Sequence, residues 1–527
     1  MSNLLSDSYF LSPPAVEQLS THPFAGFTPE LITLGEINGY TALDDFDQTL
    51  RKAGRLLLIT GTTLELIETD GQTFSQELAH SVRFKSDIPQ GEVGRRLNHL
   101  SPLRRLMPVG SGFWQRARLD FRDAARVVQC SLSMVFLTSV ADRALAVGIV
   151  HQPERPDDQV HRLLERIARL SSGTREDSSS AVMDLDQHDA NWVDTLFPLE
   201  HPYDAKPTIR FDEGASAGDA ANKIVAALMP VARANEPGII ADLDSEFLHD
   251  YRIQLRKIRS VLAQYRKIYK KADIQPVKAL LSDLMKSTGR LRDLDVQLLE
   301  RSRYYDMLPQ SLHAGLDTLF GLLAQSREVE HARLAELLSS DGYRQNAQQL
   351  SNLFTPSGSL SLGRHARKPA RQHADELLLK RFKKVCKLAA RIHQDASDEQ
   401  LHSLRIHCKK LRYLLELLSS FYPATPLNAQ IASLKKLQDT LGHYNDYAVQ
   451  QQNLIKALLD LPQRDGAPDI EVAQSIGALI AILRTRQQKE RARIHKSIER
   501  FTSETSQASF EHLIRPKAPR HPPNNGG

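Results

Sequence analysis

A twelve-residue phrase occurs twice in this chain, 153 positions apart. Residues 248–259 read LHDYRIQLRKIR and residues 401–412 read LHSLRIHCKKLR, with six positions identical. The same offset aligns GRLRDLDV at 289–296 with GHYNDYAV at 442–449, without a gap. A period this long indicates a duplicated structural unit rather than a short-repeat solenoid. We therefore expect this part of the chain to fold into two similar halves.

The sequence around the repeated phrase has a helical pattern from about residue 218 onward. Apolar residues recur at helical spacing in eight runs, which form two sets of four in agreement with the 153-residue period. The eight predicted helices lie near 220–235, 245–270, 275–304, 311–339, 370–394, 398–422, 427–460 and 470–502. This pattern predicts an all-α domain over residues 216–510, with repeat halves of about 216–360 and 361–510.

The N-terminal third of the chain has a different pattern. Short apolar runs around glycine-containing turns, as in GRLLLITGTTLELIETDGQTF at 54–74, predict a β-meander. The segment VHRLLERIARL at 160–170 has helical spacing, so we expect an α+β domain over residues 1–170. Residues 171–215 are weakly patterned and predict a linker, and the basic, proline-rich residues 511–527 predict a disordered tail. The chain is therefore expected to be multidomain.

Charge is distributed unevenly along the chain. Residues 1–170 carry 18 Lys and Arg against 20 Asp and Glu, whereas residues 361–420 carry 14 against 6. This asymmetry suggests a polyanion as the partner of the C-terminal part. The sequence has no apolar run long enough to span a membrane, only three cysteines and no secretory signal pattern. We therefore expect a soluble, cytoplasmic protein without a disulfide framework or a zinc site.

The basic residues of the repeated phrase fall on one face of a helix. At 100° per residue, the four of the first copy lie within about 80° of one another, beside an apolar sector, and the second copy repeats this arrangement. Like charges one turn apart repel by about 0.2–0.5 kcal/mol per pair, so their repetition indicates an anionic ligand in a groove shared by the two copies. The residues of these two cationic stripes are His249, Arg252, Arg256, Arg259, His402, Arg405, Lys409 and Arg412.

A basic helix face also has plainer explanations. It can be solvated or paired with acids, and a histidine at this position is also typical of a helix start or of packing. The acidic residues available for pairing are Asp283, Asp293, Asp439 and Asp446. We interpret Asp293 and Asp446 as structural residues that hold arginines through charge-assisted hydrogen bonds. Lys257 and Lys410 lie on the other side of the histidines and are left outside the predicted site.

The repeated phrase resembles the CHAD domain, the conserved histidine α-helical domain. It follows the pattern H-x-x-R-[IV]-x-x-[RK]-[RK]-[LI]-R, and a G-x-x-[RN]-D-x-x-V helix comes after each copy. The resemblance covers about residues 215–510 and includes the segment ANEPGIIADLDSEFLHD, which leads into the first phrase. It implies two four-helix bundles related by a pseudo-two-fold axis, with a basic groove between them.

The same resemblance implies binding of inorganic polyphosphate and targeting to polyphosphate granules. The residue types suit this ligand, because arginine pairs bidentately with phosphate oxygens and lysine supplies a compact charge. We expect no cofactor and no metal, and the absence of catalytic motifs such as a P-loop favours a non-enzymatic protein. Nucleic-acid binding is the alternative, although few aromatic residues are interleaved with the basic ones for base stacking.

The N-terminal domain resembles in part the CYTH domain, or triphosphate tunnel fold, which often precedes a CHAD domain. The resemblance rests on SYFLSPPAVEQL at 8–19 and GYTALDDFDQTLRKAGRLLLI at 39–59. A working tunnel needs a Glu-x-Glu-x-Lys strand for metal and phosphate, but here no Lys or Arg precedes Arg51. We therefore expect a degenerate, catalytically inactive tunnel-like domain. The alternatives are an unrelated α+β domain and a metal-dependent inorganic triphosphatase.

Overall fold

The computed structural model describes residues 8–154, 156–171, 192–199, 203–355, 358–393, 396–459, 463–464 and 467–515. The chain divides between Asp204 and Ala205 into two compact units. The first unit is built around a β-sheet and the second is helical, which confirms the predicted order of an α+β domain and an all-α domain. Within the described ranges, no helix is both long and apolar enough to cross a membrane.

An antiparallel sheet of eight strands forms the frame of the first unit. The strands are β1 (Ser8–Leu11), β2 (Thr28–Asp44), β3 (Leu56–Thr60), β4 (Thr63–Ile67), β5 (Thr73–Glu77), β6 (Met107–Arg122), β7 (Val128–Ser139) and β8 (Ala144–His151). Their order in the sheet is β1-β8-β7-β6-β2-β3-β4-β5. Strands β2 and β6 pair along most of their length and join the β3–β5 and β6–β8 meanders.

Helices cover both faces of this sheet. They are α1 (Pro13–Thr21), α2 (Thr49–Lys52), α3 (Glu92–Arg96), α4 (Asp158–Ser171) and α5 (Trp192–Leu196). Helices α1 and α4 pack on the face of β7 that carries Leu132 and Met134. Val135 and Leu137 point to the other face, because side chains alternate along a strand, and there they pack against Trp192 of α5.

Three carboxylates that are buried in the first unit pair with arginines. The pairs are Arg116–Glu65 at 3.2 Å, Arg55–Glu68 at 2.6 Å and Arg118–Asp120 at 2.9 Å. Among the residues that the structure describes, no group of three or more His, Cys, Asp or Glu side chains is placed to hold a metal ion. The tunnel-like character of this unit stays a prediction.

Thirteen helices make up the described part of the second unit. They are α6 (Ala217–Ala234), α7 (Glu236–Ile240), α8 (Ser245–Gln264), α9 (Lys271–Ser287), α10 (Gly289–Leu299), α11 (Arg301–Met307), α12 (His313–Ser339), α13 (Asp341–Leu353), α14 (Ala370–Ala389), α15 (Asp398–Leu417), α16 (Ala424–Leu459), α17 (Ile470–Thr502) and α18 (Glu504–Ile514). Two two-residue strands, β9 (Gln463–Arg464) and β10 (Ala467–Pro468), pair between α16 and α17.

The helix starts confirm the predicted duplication. The first residues of α14, α15 and α16 lie 153 positions after those of α6, α8 and α9. The halves differ further along, because α9 ends at Ser287 and α10 begins at Gly289, whereas α16 continues through the equivalent Gly442. The run predicted at 275–304 is therefore three helices, and the run predicted at 427–460 is one.

One hydrophobic cluster joins the two halves. Leu319 of α12 belongs to the same cluster as Leu454 of α16 and Leu479 of α17. The close approach of α12 and α17 requires Gly315, since a Cβ atom there would lie 2.2 Å from the carbonyl oxygen of Glu471. The second half of the repeat therefore completes the core of the first.

Helix α18 corrects the predicted boundary of the C-terminal tail. Residues 511–514 are helical, and Leu513 and Ile514 are buried, so these positions are not a disordered tail. Phe510 stacks on Phe382 of α14 at 3.9 Å between ring centroids. The prediction began too early because the proline-rich composition starts only at Pro516. Residues 516–527 lie outside the described residues.

Candidate anion-binding site

Helices α8 and α15 carry the cationic stripes, and side-chain caps define where each of them starts. Asp244 Oδ1 accepts hydrogen bonds from the backbone N–H groups of Glu246 and Phe247, at 2.9 and 3.2 Å. At the start of α15, Ser397 and Gln400 form a capping box. Both caps satisfy N–H groups that have no partner within the helix.

The apolar sector beside each stripe is buried, which sets the direction of the basic face. Leu255 and Ile258 of α8 are 1% and 0% exposed, and Leu404 and Leu411 of α15 are both 0% exposed. These side chains fix the rotation of each helix about its axis. The stripes are therefore held in position by the core of the helical unit.

A cavity of about 860 Å³ lies where the two stripes meet. Its walls come from α8, α9 and α15, and among the described residues it is lined by seven basic side chains and one acidic side chain, Asp283. The basic ones are Arg256, Arg259, Lys278, Lys286, Arg405, Lys409 and Lys410. Four of the eight predicted site residues are thus brought together, two from each copy of the phrase.

Lys409 marks the point of contact between the two repeats. Burial, followed by repulsion from Arg405 and from Arg256 of the other repeat, lowers the pKa of Lys409 to about 8. A nearby carboxylate would raise the pKa, and Asp446 does so only weakly. The site therefore holds a positive charge that the protein itself does not balance, as expected where an anion binds.

Arg252 is used by the fold rather than by the cavity. Its Nη1 donates to the carbonyl oxygen of Met285 at 2.9 Å and to the hydroxyl of Thr288, where α9 ends. Burial, then repulsion from neighbouring arginines, lowers its pKa to about 10. Burial raises the pKa of Asp293, and the nearby positive charge of Arg252 acts to lower it. Arg252 nevertheless donates its hydrogen bond to the end of α9.

The other predicted residues also have partners within the protein. His402 Nδ1 lies 2.7 Å from Asn445 Oδ1, and Arg412 Nε lies 3.4 Å from Glu416 Oε1. His249 is partly exposed on α8 and does not belong to the cavity lining. These three residues, with Arg252, surround the site without lining it.

The position of Asp446 agrees with its interpretation as a residue that holds an arginine in place. Its Oδ1 lies 3.4 Å from Nη2 of Arg405, and Arg405 nevertheless lines the cavity. The Nε atom of Arg405 is buried and has no hydrogen-bond partner in the described structure. Buried donors of this kind are normally satisfied by water or by a ligand, so an acceptor at this end of the cavity is expected.

Three basic residues of the lining were not predicted as site residues. Lys278 and Lys286 belong to α9, and Lys410 belongs to the repeated phrase but was placed outside the site. Lys278 and Lys286 are eight residues apart, a spacing that places both on one side of a helix. Lys410 lies near enough to Arg381 of α14 to be repelled by it, a contact that the phasing of α15 alone does not reveal.

Comparisons with known proteins identify a family for part of the chain. The family model of the CHAD domain matches residues 223–455, a range that contains both copies of the repeated phrase. No curated protein matches the chain.

Several solved structures are similar to the chain, including the following two. One is the crystal structure of the CHAD domain from the plant Ricinus communis, with 22% identity and a TM-score of 0.47, covering 57% of this chain and 97% of that one. The other is PptA from Streptomyces chartreusis, with 13% identity and a TM-score of 0.42, covering 54% of this chain and 99% of that one. With the family match, the repeated phrase and the helices that carry it, residues 223–455 of this chain are a CHAD domain.

Proposed function

We propose that this protein binds inorganic polyphosphate in the cavity between α8, α9 and α15, without catalysing a reaction on it. The observation that carries the proposal is the cavity lining, in which both repeats contribute basic side chains and a single acid is present among the described residues. Asp283 lies 3.3 Å from Lys286, so the other six basic side chains of the lining have no carboxylate partner within the lining. The CHAD domain itself favours the same ligand.

The chemistry of these side chains suits a linear polymer of phosphate. Arg256, Arg259 and Arg405 offer planar forks that can donate two hydrogen bonds to one phosphate, and Lys409 offers a point charge between them. A polymer with one negative charge per phosphate binds several such groups at once and releases the counterions that screened them. Granule association would follow from affinity for the polymer, since a granule presents many copies of it.

Competition binding with the full chain tests this proposal. Fluorescently labelled long-chain polyphosphate is bound to the protein at physiological salt, and unlabelled polyphosphate, RNA and tripolyphosphate are added separately as competitors. We expect polyphosphate to displace the label at a much lower phosphate concentration than RNA does. We also expect the affinity to fall about a thousandfold or more between about 50 and 200 mM salt, as for other proteins that make six or more phosphate contacts.

The same protein is incubated with tripolyphosphate and Mg²⁺ or Mn²⁺. We expect no release of phosphate above the blank. If RNA displaces the labelled polyphosphate as well as unlabelled polyphosphate does at equal phosphate concentration, the proposed ligand is nucleic acid instead. Metal-dependent phosphate release would contradict the non-catalytic part of the proposal and support a triphosphatase in the first unit.

A further inference from the structure

We propose that the cavity has one basic mouth, formed by Arg266, Lys278, Arg381 and Lys410, through which polyphosphate leaves the cavity towards α14. This inference rests on the proposed function and adds a direction and a length requirement to it. The four residues come from α9, α14, α15 and the turn that follows α8. They are called the α14 mouth below.

The four residues of the α14 mouth are neighbours in space. Lys278 and Lys410 line the cavity itself. Arg266 repels both Lys278 and Arg381, and Arg381 repels Lys410, so the four charges form a connected group. Burial is the main cause of the lowered pKa of Lys278, Arg381 and Lys410, and this mutual repulsion adds to it.

None of these four side chains has an acidic partner within salt-bridge distance in the described part of the chain. Nε of Arg381 is in addition buried without a hydrogen-bond partner in the structure. His407 and Lys384 lie beside Arg381 and bring further basic groups to the same place. Lys278, Arg381 and Lys410 are partly buried near one another without a counter-charge, which favours an anion between them.

The mouth lies at one end of the cavity. Lys278 and Lys286 both line the α9 wall, and eight residues of helix separate them by about 12 Å. Lys286 is beside Asp283, at 3.3 Å, whereas Lys278 is beside Arg266. The charge along α9 is therefore balanced at one end and unbalanced at the other.

The duplication provides an internal comparison, because each mouth residue has an equivalent 153 positions away. The equivalents of Arg266, Lys278, Arg381 and Lys410 are Ser419, Ile431, Leu228 and Lys257. Three of these are uncharged, and Leu228 is fully buried. The repeat therefore has a basic mouth on one side and no equivalent on the other.

The one cation among these four equivalents is closed off. Lys257 is only 6% exposed, and the carboxylate of Glu416 lies near enough to raise its pKa against the effect of burial. Glu416 stands where the first repeat has Ala263, a small residue of the cavity lining. Gln254 Nε2, one turn before Lys257, donates to the carbonyl oxygen of Ala205, so the chain leading into α6 packs over this side.

A one-sided mouth predicts how affinity depends on polymer length. A short phosphate chain can occupy the cavity without reaching Arg266 and Arg381, the two mouth residues that lie outside its lining. A long chain engages the cavity first, including Lys278 and Lys410, and then Arg266 and Arg381 as it leaves. Long-chain polyphosphate should therefore gain affinity from Arg266 and Arg381, and tripolyphosphate should not.

The test compares two double variants of the full chain that each remove two positive charges. The mouth variant is Arg266→Gln with Arg381→Gln, because neither of these side chains belongs to the cavity lining. The control is Lys435→Gln with Lys436→Gln, since these exposed lysines occupy on α16 the positions equivalent to Ser282 and Asp283 of the cavity wall. Arg266→Gln with Lys384→Gln is a second mouth variant, used if Arg381→Gln lowers the helical circular dichroism signal, and Lys384 also lies outside the cavity lining. Affinity for long-chain polyphosphate and for tripolyphosphate is measured over a range of salt.

We expect either mouth variant to bind long-chain polyphosphate about tenfold more weakly or worse, with a salt slope reduced by about one per cation removed. Its affinity for tripolyphosphate should change less than twofold, and the control should match the wild type with both ligands. A folded mouth variant that keeps wild-type affinity for the long chain would contradict the proposed mouth. An equal loss of affinity in the control would contradict it as well. A wild-type protein that binds no polyphosphate overturns the proposed function, and the mouth with it.

Discussion

Lys409 contributes a positive charge to the cavity, and burial and repulsion from Arg405 and Arg256 make that charge less stable than in water. Its pKa of about 8 means that it loses its proton at a pH at which a solvated lysine stays charged. A bound polyanion would favour the charged form and raise this pKa again. Binding should therefore take up a proton when the pH is above about 8.

The first prediction concerns the pH dependence of polyphosphate affinity. As the pH rises from about 7 to 9.5, Lys409 becomes neutral in the free protein and the affinity should fall. The Lys409→Arg variant should bind with a smaller pH dependence over this range, because a guanidinium stays charged. Fluorescence titration at constant ionic strength measures both proteins. An equal pH dependence in the two would remove Lys409 as its origin.

The second prediction separates Arg252 from Arg256, although both belong to the first stripe. Arg252→Gln removes charged hydrogen bonds to Met285 and Thr288 and should lower the free energy of unfolding by about 1–3 kcal/mol. Arg256→Gln removes a cation of the cavity lining and should weaken polyphosphate binding with little loss of stability. Thermal unfolding and binding of the full chain distinguish the two. If Arg252→Gln reduces binding as much as Arg256→Gln at unchanged stability, Arg252 is a ligand contact.

Helical phasing explains which site residues the sequence could predict. It placed Arg256 and Arg259 on the basic face of α8 and the other two, Arg405 and Lys409, on the basic face of α15. The structure brings all four into one cavity. It did not distinguish them from Arg252, whose partners lie on another helix, because phasing describes one helix at a time. Tertiary contacts decide whether a basic residue on the correct face is available to a ligand.

Helices α8 and α15 begin with different caps at equivalent positions. Asp244 caps α8 through its carboxylate, and Ser397 with Gln400 caps α15. Asp244 precedes Arg256 by twelve residues, or about 18 Å along a helix. The start of the helix and the cavity are therefore far enough apart to be changed separately.

The third prediction is that Asp244→Ala lowers the free energy of unfolding of the full chain by about 0.5–2 kcal/mol, because two N–H groups at the start of α8 lose their acceptor. Asp244→Asn should keep most of the stability, since an amide oxygen also caps. Polyphosphate affinity below the unfolding transition should match the wild type in both variants. Chemical denaturation followed by circular dichroism measures the first effect. A stability of Asp244→Ala equal to wild type would contradict the role of this cap.

The order of the helices could be predicted from the sequence better than their breaks. Periodicity indicated the runs at 275–304 and 427–460, but only the first is divided, at Thr288 and Glu300. Both runs carry a glycine at the equivalent position, Gly289 or Gly442, so the residue type alone does not cause the break. In the first repeat, Arg252 donates to the end of α9, which stabilises a helix terminus there.

At the scale of the whole molecule, the two units differ in how their charged side chains are paired. In the first unit, buried carboxylates such as Glu65 and Asp120 are paired with arginines. In the second, cations of the cavity such as Arg256 and Lys409 have no carboxylate within salt-bridge distance among the described residues. The sequence indicated this difference through its uneven composition. The assignment of the first unit as a degenerate triphosphate tunnel is a prediction that its eight-stranded sheet leaves open.

Polyphosphate binding by the cavity cations is the central claim about this protein. The decisive measurement is the affinity of long-chain polyphosphate for the wild type and for two folded variants, each with four cations changed to glutamine. The cavity variant changes Arg256, Arg259, Arg405 and Lys409. The control variant changes four exposed lysines elsewhere in the helical unit, Lys435, Lys436, Lys489 and Lys496.

The two variants have the same net charge, so a difference between them reports position rather than total charge. We predict that the cavity variant loses affinity by about a hundredfold or more at physiological salt, while the control stays within about threefold of the wild type. A cavity variant that binds as tightly as the wild type, or a control that weakens to the same extent, would contradict the assignment of the cavity.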